Sequence, residues 1–224
     1  MATVRNKRQK NSKSEEPGLL RDTVYKRLRD DLIAGQHVPG DILVEGMLAE
    51  TFDVSRSPVR EALHRLADEG FVKILPRSGY LVTAVTPGDI AENVHLRKLL
   101  EGEAARLAAT RMTSSDIEKL KTIQHEEEKP EADSLALNRE FHMTIAEIAG
   151  SKLMTRIIEN LLDQDERILR LHPLIVNPKA TRAHWTIIAA LEEGAPEAAQ
   201  EAMREHIEEM ALRINSRFED VGRT

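Results

Sequence analysis

Two arginines four residues apart, Arg56 and Arg60, are interleaved with Ser55 and Ser57 in the run Leu48-Ala49-Glu50-Thr51-Phe52-Asp53-Val54-Ser55-Arg56-Ser57-Pro58-Val59-Arg60-Glu61-Ala62-Leu63. A spacing of four places both guanidiniums on one face of a helix. In a major groove, an arginine can donate two hydrogen bonds to O6 and N7 of a guanine. The serines at such a helix start would cap it or donate to phosphate, and the free N–H groups there also favour an anion. An ordinary surface helix that begins with an arginine looks much the same, so the pattern alone leaves both readings open.

A second group of residues could hold a metal. Asn138 precedes His142 by one helical turn, and His184 and His206 fall in two later helical segments. Three neutral imidazoles plus an oxygen donor suit a divalent ion such as zinc, nickel or manganese. Eight histidines are scattered along the chain, and a lone helical histidine is commonly a core or surface residue. The metal and the bland reading therefore both stand on the residues alone.

The elements that must position these groups follow from periodicity. Leu20, Val24, Leu28, Leu32 and Ile33 recur at helical spacing and Gly35 stops them. Pro39-Gly40-Asp41 is a turn, and Val44, Met47, Leu48 and Phe52 mark a short second helix. Pro58 suits the first turn of a third helix, lined by Val59, Leu63, Leu66 and Ala67 and ended by Gly70. Residues 71–75 and 80–85 read as two strands, joined by Pro76-Arg77-Ser78-Gly79 as a hairpin turn. Three helices and a two-stranded hairpin are the order of a winged helix-turn-helix. Beyond Pro87 only amphipathic segments occur, at 88–111, 114–128, 131–149, 151–171, 178–193 and 195–217, with Ser114, Ser151 and Asn177-Pro178 as helix starts. The expected fold class is mainly α: an N-terminal winged helix-turn-helix (20–86) after a basic arm (1–19), then an all-α helical bundle (87–218).

Composition narrows the function. The 224 residues are 41% hydrophobic, 31% charged and 3% aromatic, and include no cysteine. A disulfide scaffold, a thiolate zinc site and a cysteine nucleophile are excluded. No apolar stretch is long enough for a membrane span, and the basic, polar start lacks the apolar core of a secretory signal, so a cytoplasmic protein is expected. The net charge of −6 divides unevenly: residues 1–85 carry +2 and the remainder −8. Arg5, Lys7, Arg8, Lys10 and Lys13 form a basic arm that either meets DNA or merely solubilises.

The stretch Gly40…Leu43-Val44-Glu45…Leu48-Ala49…Val54 to Leu63…Leu66…Glu69-Gly70…Gly79 resembles the DNA-binding domain of GntR-type bacterial regulators. The resemblance implies that Ser55, Arg56, Ser57 and Arg60 contact DNA from the recognition helix, and that Arg77, Ser78 and Gly79 form the wing tip. Many members carry a basic residue directly after the glutamate matching Glu45, whereas this chain has Gly46. The segments Leu96-Arg97…Leu100-Glu101…Ala104-Ala105, Asn138…Phe141-His142, His184…Ile187 and Ala202-Met203…His206-Ile207 are similar to the FadR-type (FCD) ligand-binding domain, in its shorter VanR-like form. That implies a metal held by Asn138, His142, His184 and His206, with zinc first. It also implies a small carboxylate effector at Arg97, with Arg139, Asn160 and Arg167 lining the same cavity. Without the resemblance, Arg97 reads as a surface arginine paired with Glu101 four residues on. The acidic run Glu126-Glu127-Glu128 reads as a solvated helix end.

The expected function is thus a homodimeric, ligand-responsive repressor that binds a palindromic double-stranded operator. A metal-dependent hydrolase is the enzyme alternative. It lacks a His-Glu-x-x-His run, a Gly-x-Ser-x-Gly elbow and a phosphate-binding glycine loop, so no enzyme is expected. A sensor of the metal itself is the third reading.

Overall fold

The computed structural model describes residues 17–171 and 182–221. Its helices and strands run α1 (Pro17–Ile33), β1 (Ile42–Leu43), α2 (Glu45–Thr51), α3 (Arg56–Asp68), β2 (Val72–Leu75), β3 (Gly79–Val82), α4 (Pro87–Ala109), α5 (Ser114–Glu127), α6 (Ser134–Ile148), α7 (Lys152–Leu171), α8 (Arg182–Glu192) and α9 (Pro196–Val221). Backbone contacts divide the chain into two compact units, one of residues 17–30 and 42–81 and the other of 31–41 with the described residues from 82 onward.

In the first unit, the buried side chains are those that the helical periodicity picks out, among them Val24, Leu28, Leu48, Val59, Leu63 and Leu66, joined by Phe71 and Tyr80. Helix α3 is held at both ends. Near its C-terminus, the Tyr25 hydroxyl of α1 donates to the Glu69 carboxylate at 2.7 and 2.8 Å, and the Arg65 guanidinium lies 3.6 Å from the Tyr25 ring centroid. Burial first, and the bond to Glu69 second, push the Tyr25 hydroxyl well above its ordinary pKa. Near the N-terminus of α3, Arg60 is gripped by Glu45 of α2.

The wing has three strands rather than two, in the order β1-β3-β2. The expected two-stranded hairpin is corrected by β1, which pairs antiparallel with β3 through Ile42↔Leu81 and Leu43↔Tyr80. Two residues are too short to carry an alternation signal. Strand β3 also ends at Val82, three residues before the run of β-prone residues does. Gly79 makes the third strand feasible. Its φ is +122°, and a Cβ there would stand 2.5 Å from the Leu43 carbonyl oxygen.

The second unit is an all-α bundle around α4. That helix buries residues on nearly every face, from Ile90 and Val94 through Arg97 and Glu101 to Ala104, Ala105, Ala108 and Ala109, as a helix packed against α6, α7, α8 and α9 must. Its alanines let neighbours approach closely. Thr86 starts it with a closed capping box to Asp89, with Pro87 in the first turn. Thr113, rather than Ser114, caps α5 by the same device with Asp116. Asp133 caps α6. Ser151 stands before α7 and its hydroxyl lies 3.4 Å from the Met154 N–H, while the expected start at Asn177-Pro178 lies outside the described residues. Ile117, Leu120, Phe141, Ile145, Ile168, Ile187, Leu191, Met203 and Ile207 fill the bundle core.

Gly79→Ala should lower stability by about 1–3 kcal/mol, because it adds a side chain at positive φ and against the β1 backbone. Urea unfolding of the full chain measures this. A loss below about 0.5 kcal/mol would mean that β1 shifts freely and does not hold the wing.

Candidate functional site

Each unit carries one candidate site. On the first, Ser55 occupies the N-cap position of α3 in extended backbone, and its hydroxyl makes no capping bond. The hydroxyl is left free toward solvent, as a phosphate donor would be. The Ser57 hydroxyl reaches Glu61 at 3.4 Å. Among the described residues the Arg56 guanidinium has no ionic or hydrogen-bonding partner. It lies over Gly46, where an added Cβ would stand 3.3 Å from Nη2. A surface groove of about 390 Å³ brings Gly46, Arg56, Arg77, Ser78, Gly79 and Tyr80 together, so the start of α3 and the wing tip share one concave face. Arg77 sits at the tip of the β2–β3 turn with φ +67°. Arg60 differs from Arg56: its Nε and Nη2 donate to both Glu45 oxygens at 2.9–3.1 Å.

In the second unit three histidines from three helices converge. His142 of α6, His184 of α8 and His206 of α9 are buried, with one ring nitrogen of each within 4.8 Å of the others. The His142 and His206 Nε2 atoms are 3.2 Å apart. Two nitrogens on a tetrahedral ion at ~2.1 Å would stand about 3.4 Å apart, so this pair already has the required spacing. Phe141 fixes the rings, stacking on His184 with centroids 4.1 Å apart and meeting His142 edge-on.

The far side of the cluster is acidic. His142 Nδ1 lies 2.5 Å from Glu101 Oε2. His184 Nδ1 lies 2.8 Å from Gln124 Oε1 and 3.1 Å from Glu127 Oε2, and its buried Nε2 has no partner among the described residues. A carboxylate on one ring nitrogen turns the other toward an ion and makes it a better donor. Burial opposes ionisation of Glu101, but Arg97 and His142 outweigh it and bring its pKa down to about 2. Burial also lowers the His142 pKa, with Glu101 pulling the other way. Burial thus works toward the neutral imidazole, the form a metal needs.

Arg97 is fully buried. Its Nε donates to Glu101 Oε1 at 2.5 Å, and its Nη1 lies 3.0 Å from Asp165 Oδ2. Nη2 remains buried without a partner. The helical i,i+4 pairing with Glu101 therefore exists, but in the interior rather than on the surface. Burial pushes the Asp165 carboxyl up, with Arg97 opposing.

Asn138, one turn before His142, is half-buried and makes no side-chain hydrogen bond among the described residues. Arg139 donates from Nε to Asp163 at 2.7 Å and from Nη2 to Glu159 at 3.2 Å. Asn160 is half-buried on α7. Arg167 is buried and donates to the Thr83 carbonyl and hydroxyl. Arg139 and Arg167 are thus engaged by protein groups.

Glu101, Gln124, Glu127 and Asp165 are the residues that sequence reasoning missed as parts of the site. The solvated acidic run is corrected at Glu127, which is buried on His184, while Glu128 accepts from the Trp185 indole N–H at 2.8 Å. The spacing of Gln124 and Glu127, three apart and so on one helix face, was the available signal.

Two family models match the chain: "Bacterial regulatory proteins, gntR family" over residues 20–82 and "FCD domain" over residues 92–209. The chain is 31% identical over 195 residues to the HTH-type transcriptional repressor RspR of Escherichia coli K12, covering 84% of this chain and 86% of that protein. It is 29% identical to the Uxu operon regulator of Haemophilus influenzae, over 84% of this chain and 79% of that one. Among solved structures, E. coli McbR/YncC has the same fold, with a TM-score of 0.77 at 24% identity over 88% of this chain and 98% of that chain. RspR and the Uxu operon regulator are regulators by name and the matched family is one of regulatory proteins, not enzymes, which removes the hydrolase alternative. No helix among the described residues is long and apolar enough to cross a membrane. The chain belongs to the gntR family of bacterial transcription regulators, with a gntR DNA-binding domain followed by an FCD domain.

Proposed function

We infer that this regulator is a ligand-responsive repressor whose FCD domain holds a divalent metal and binds a small carboxylate. The observation that carries the reading is the convergence of His142, His184 and His206, with Glu101, Gln124 and Glu127 on the far nitrogens of two rings. Asn138 would complete the set with a neutral amide oxygen, a weaker donor than carboxylate. Zinc fits the imidazole-rich donors best, with nickel or manganese as alternatives. Once bound, the ion supplies a positive centre to which an anionic group can attach.

Arg97 supports the same reading, since its buried Nη2 still has donors to offer a carboxylate. Asn160, half-buried on α7, is assigned to the same cavity, whereas Arg139 and Arg167 would first have to leave their present partners. Repression follows the printed function of the E. coli relative RspR. A homodimer reading a palindromic operator is the arrangement that suits a helix-turn-helix, and the cytoplasm is where such an operator is reached. The domain limits 20–86 and 87–218 go with this reading. A pure metal sensor would leave the Arg97 donor without a role.

The DNA face is assigned to Ser55, Arg56 and Ser57 at the start of α3, with Arg60 beside them on the same helix, and to Arg77, Ser78 and Gly79 at the wing tip. Arg56 has no protein partner to give up before it meets a base. Arg56→Ala should weaken binding to DNA taken from upstream of the protein's own gene by about 1–3 kcal/mol and relax the preference at one base pair. Retention of full affinity would remove Arg56 from the interface.

Zinc titration of the full chain, followed through Trp185 beside His184, tests the metal. Glu127→Gln should weaken zinc binding by about tenfold or more, and Asn138→Asp should tighten it. An Asn138→Asp variant no tighter than wild type would exclude Asn138 as a ligand. For the effector, zinc-loaded protein on operator DNA is challenged with a panel of small carboxylates. Release of wild type at an acid concentration that leaves Arg97→Ala bound is the expected result. Equal release of both would exclude Arg97 from the pocket.

A further inference from the structure

Arg60 is placed among the DNA contacts by its position, yet its geometry differs from that of Arg56. Both its Nε and its Nη2 face the Glu45 carboxylate, at 2.9–3.1 Å, in the two-point fork that is the strongest arginine–carboxylate geometry. Glu45 is fixed in turn by the Tyr80 hydroxyl, which donates to Oε1 at 3.2 Å from a buried ring on β3. Three elements, α2, α3 and β3, are tied through one carboxylate. Glu45 lines the same groove as Arg56 and Arg77. A bare carboxylate there would repel the phosphates of an approaching duplex and has few base partners, cytosine N4 being one. Arg60 neutralises it in place.

We propose that Arg60 is a positioning residue: it cancels the Glu45 charge and locks α2 to α3, and Arg56 is the arginine of α3 that reads a base. Gly46 belongs to the same device. With no side chain it leaves the space over the start of α2 to the Arg56 guanidinium, so the cation reaches out from a floor that Glu45 and Arg60 hold still. The proposal rests on the reading that α3 enters the major groove.

A charge-cancelling role predicts rescue. Random-sequence double-stranded DNA is enriched with the wild-type protein, and the selected duplex serves as the probe. Arg60→Ala should bind it about tenfold more weakly, because Glu45 is left uncompensated. The double variant Glu45→Gln/Arg60→Ala should return to within about threefold of wild type, since Gln keeps the Tyr80 bond and carries no charge. Fresh selections with Arg60→Ala and with the double variant should enrich the wild-type base pattern, whereas Arg56→Ala should lose one position of it. A double variant as weak as Arg60→Ala, or a guanine lost with Arg60→Ala and kept with Arg56→Ala, means that Arg60 touches DNA itself and overturns the proposal. An Arg56→Ala variant that keeps the whole pattern overturns the base-reading role of α3. That failure is separable, because rescue of the double variant does not depend on which bases are read.

Discussion

The second unit is organised by a run of charged and polar groups that no single helix could bury alone. Asp165 on α7, Arg97 and Glu101 on α4, and His142 on α6 follow one another at 2.5–3.0 Å. Taking one isolated charge out of water costs several kcal/mol, so Arg97 and Glu101 are tolerable in the interior only as a neutral pair. Both sit on α4, the helix against which α6, α7, α8 and α9 pack, and Asp165 and His142 meet them from α7 and α6. The Glu101 carboxylate then dictates the orientation of the His142 ring. The helices, the charge pair and the imidazole geometry form one problem with one solution.

The first unit uses the same pairing at the surface, for a different end. Glu45 and Arg60 are partly exposed, with side-chain accessibilities of 23% and 56%, so their pairing adds little to stability. What it does is decide where charge sits. Of two arginines on one face of α3, one is matched to a carboxylate and the other stands free over a glycine. Tyr25 and Glu69 hold the opposite end of the helix. Such a helix meets a partner with its angle already set, and little ordering remains to be done on contact.

Much of this was legible in the chain. The six helical segments of the bundle are readable because helical periodicity survives in each, whereas the three histidines stand out among the eight in the chain only through the resemblance to the FCD-type domain. What the pattern does not carry is burial of charge. Glu101 and Arg97 look the same on paper whether they pair in water or in a core, and Glu127 hides inside an acidic run. Strand β1 escaped for another reason: two residues have no period, and its existence is encoded in Gly79, thirty-six residues after Leu43 in the chain. The caps were nearly legible, with Thr113 one residue ahead of the serine that composition favours.

The matched pair on α2 and α3 has a thermodynamic consequence of its own. Affinity for a duplex grows with the number of counterions that basic side chains release from it, and falls with salt in the same proportion. An arginine that already holds a carboxylate has little left with which to displace a cation from phosphate. With Arg60 so engaged, α3 itself has fewer cations to offer phosphate, so the share of affinity that this helix adds should depend less on ionic strength and more on where the Arg56 donors stand.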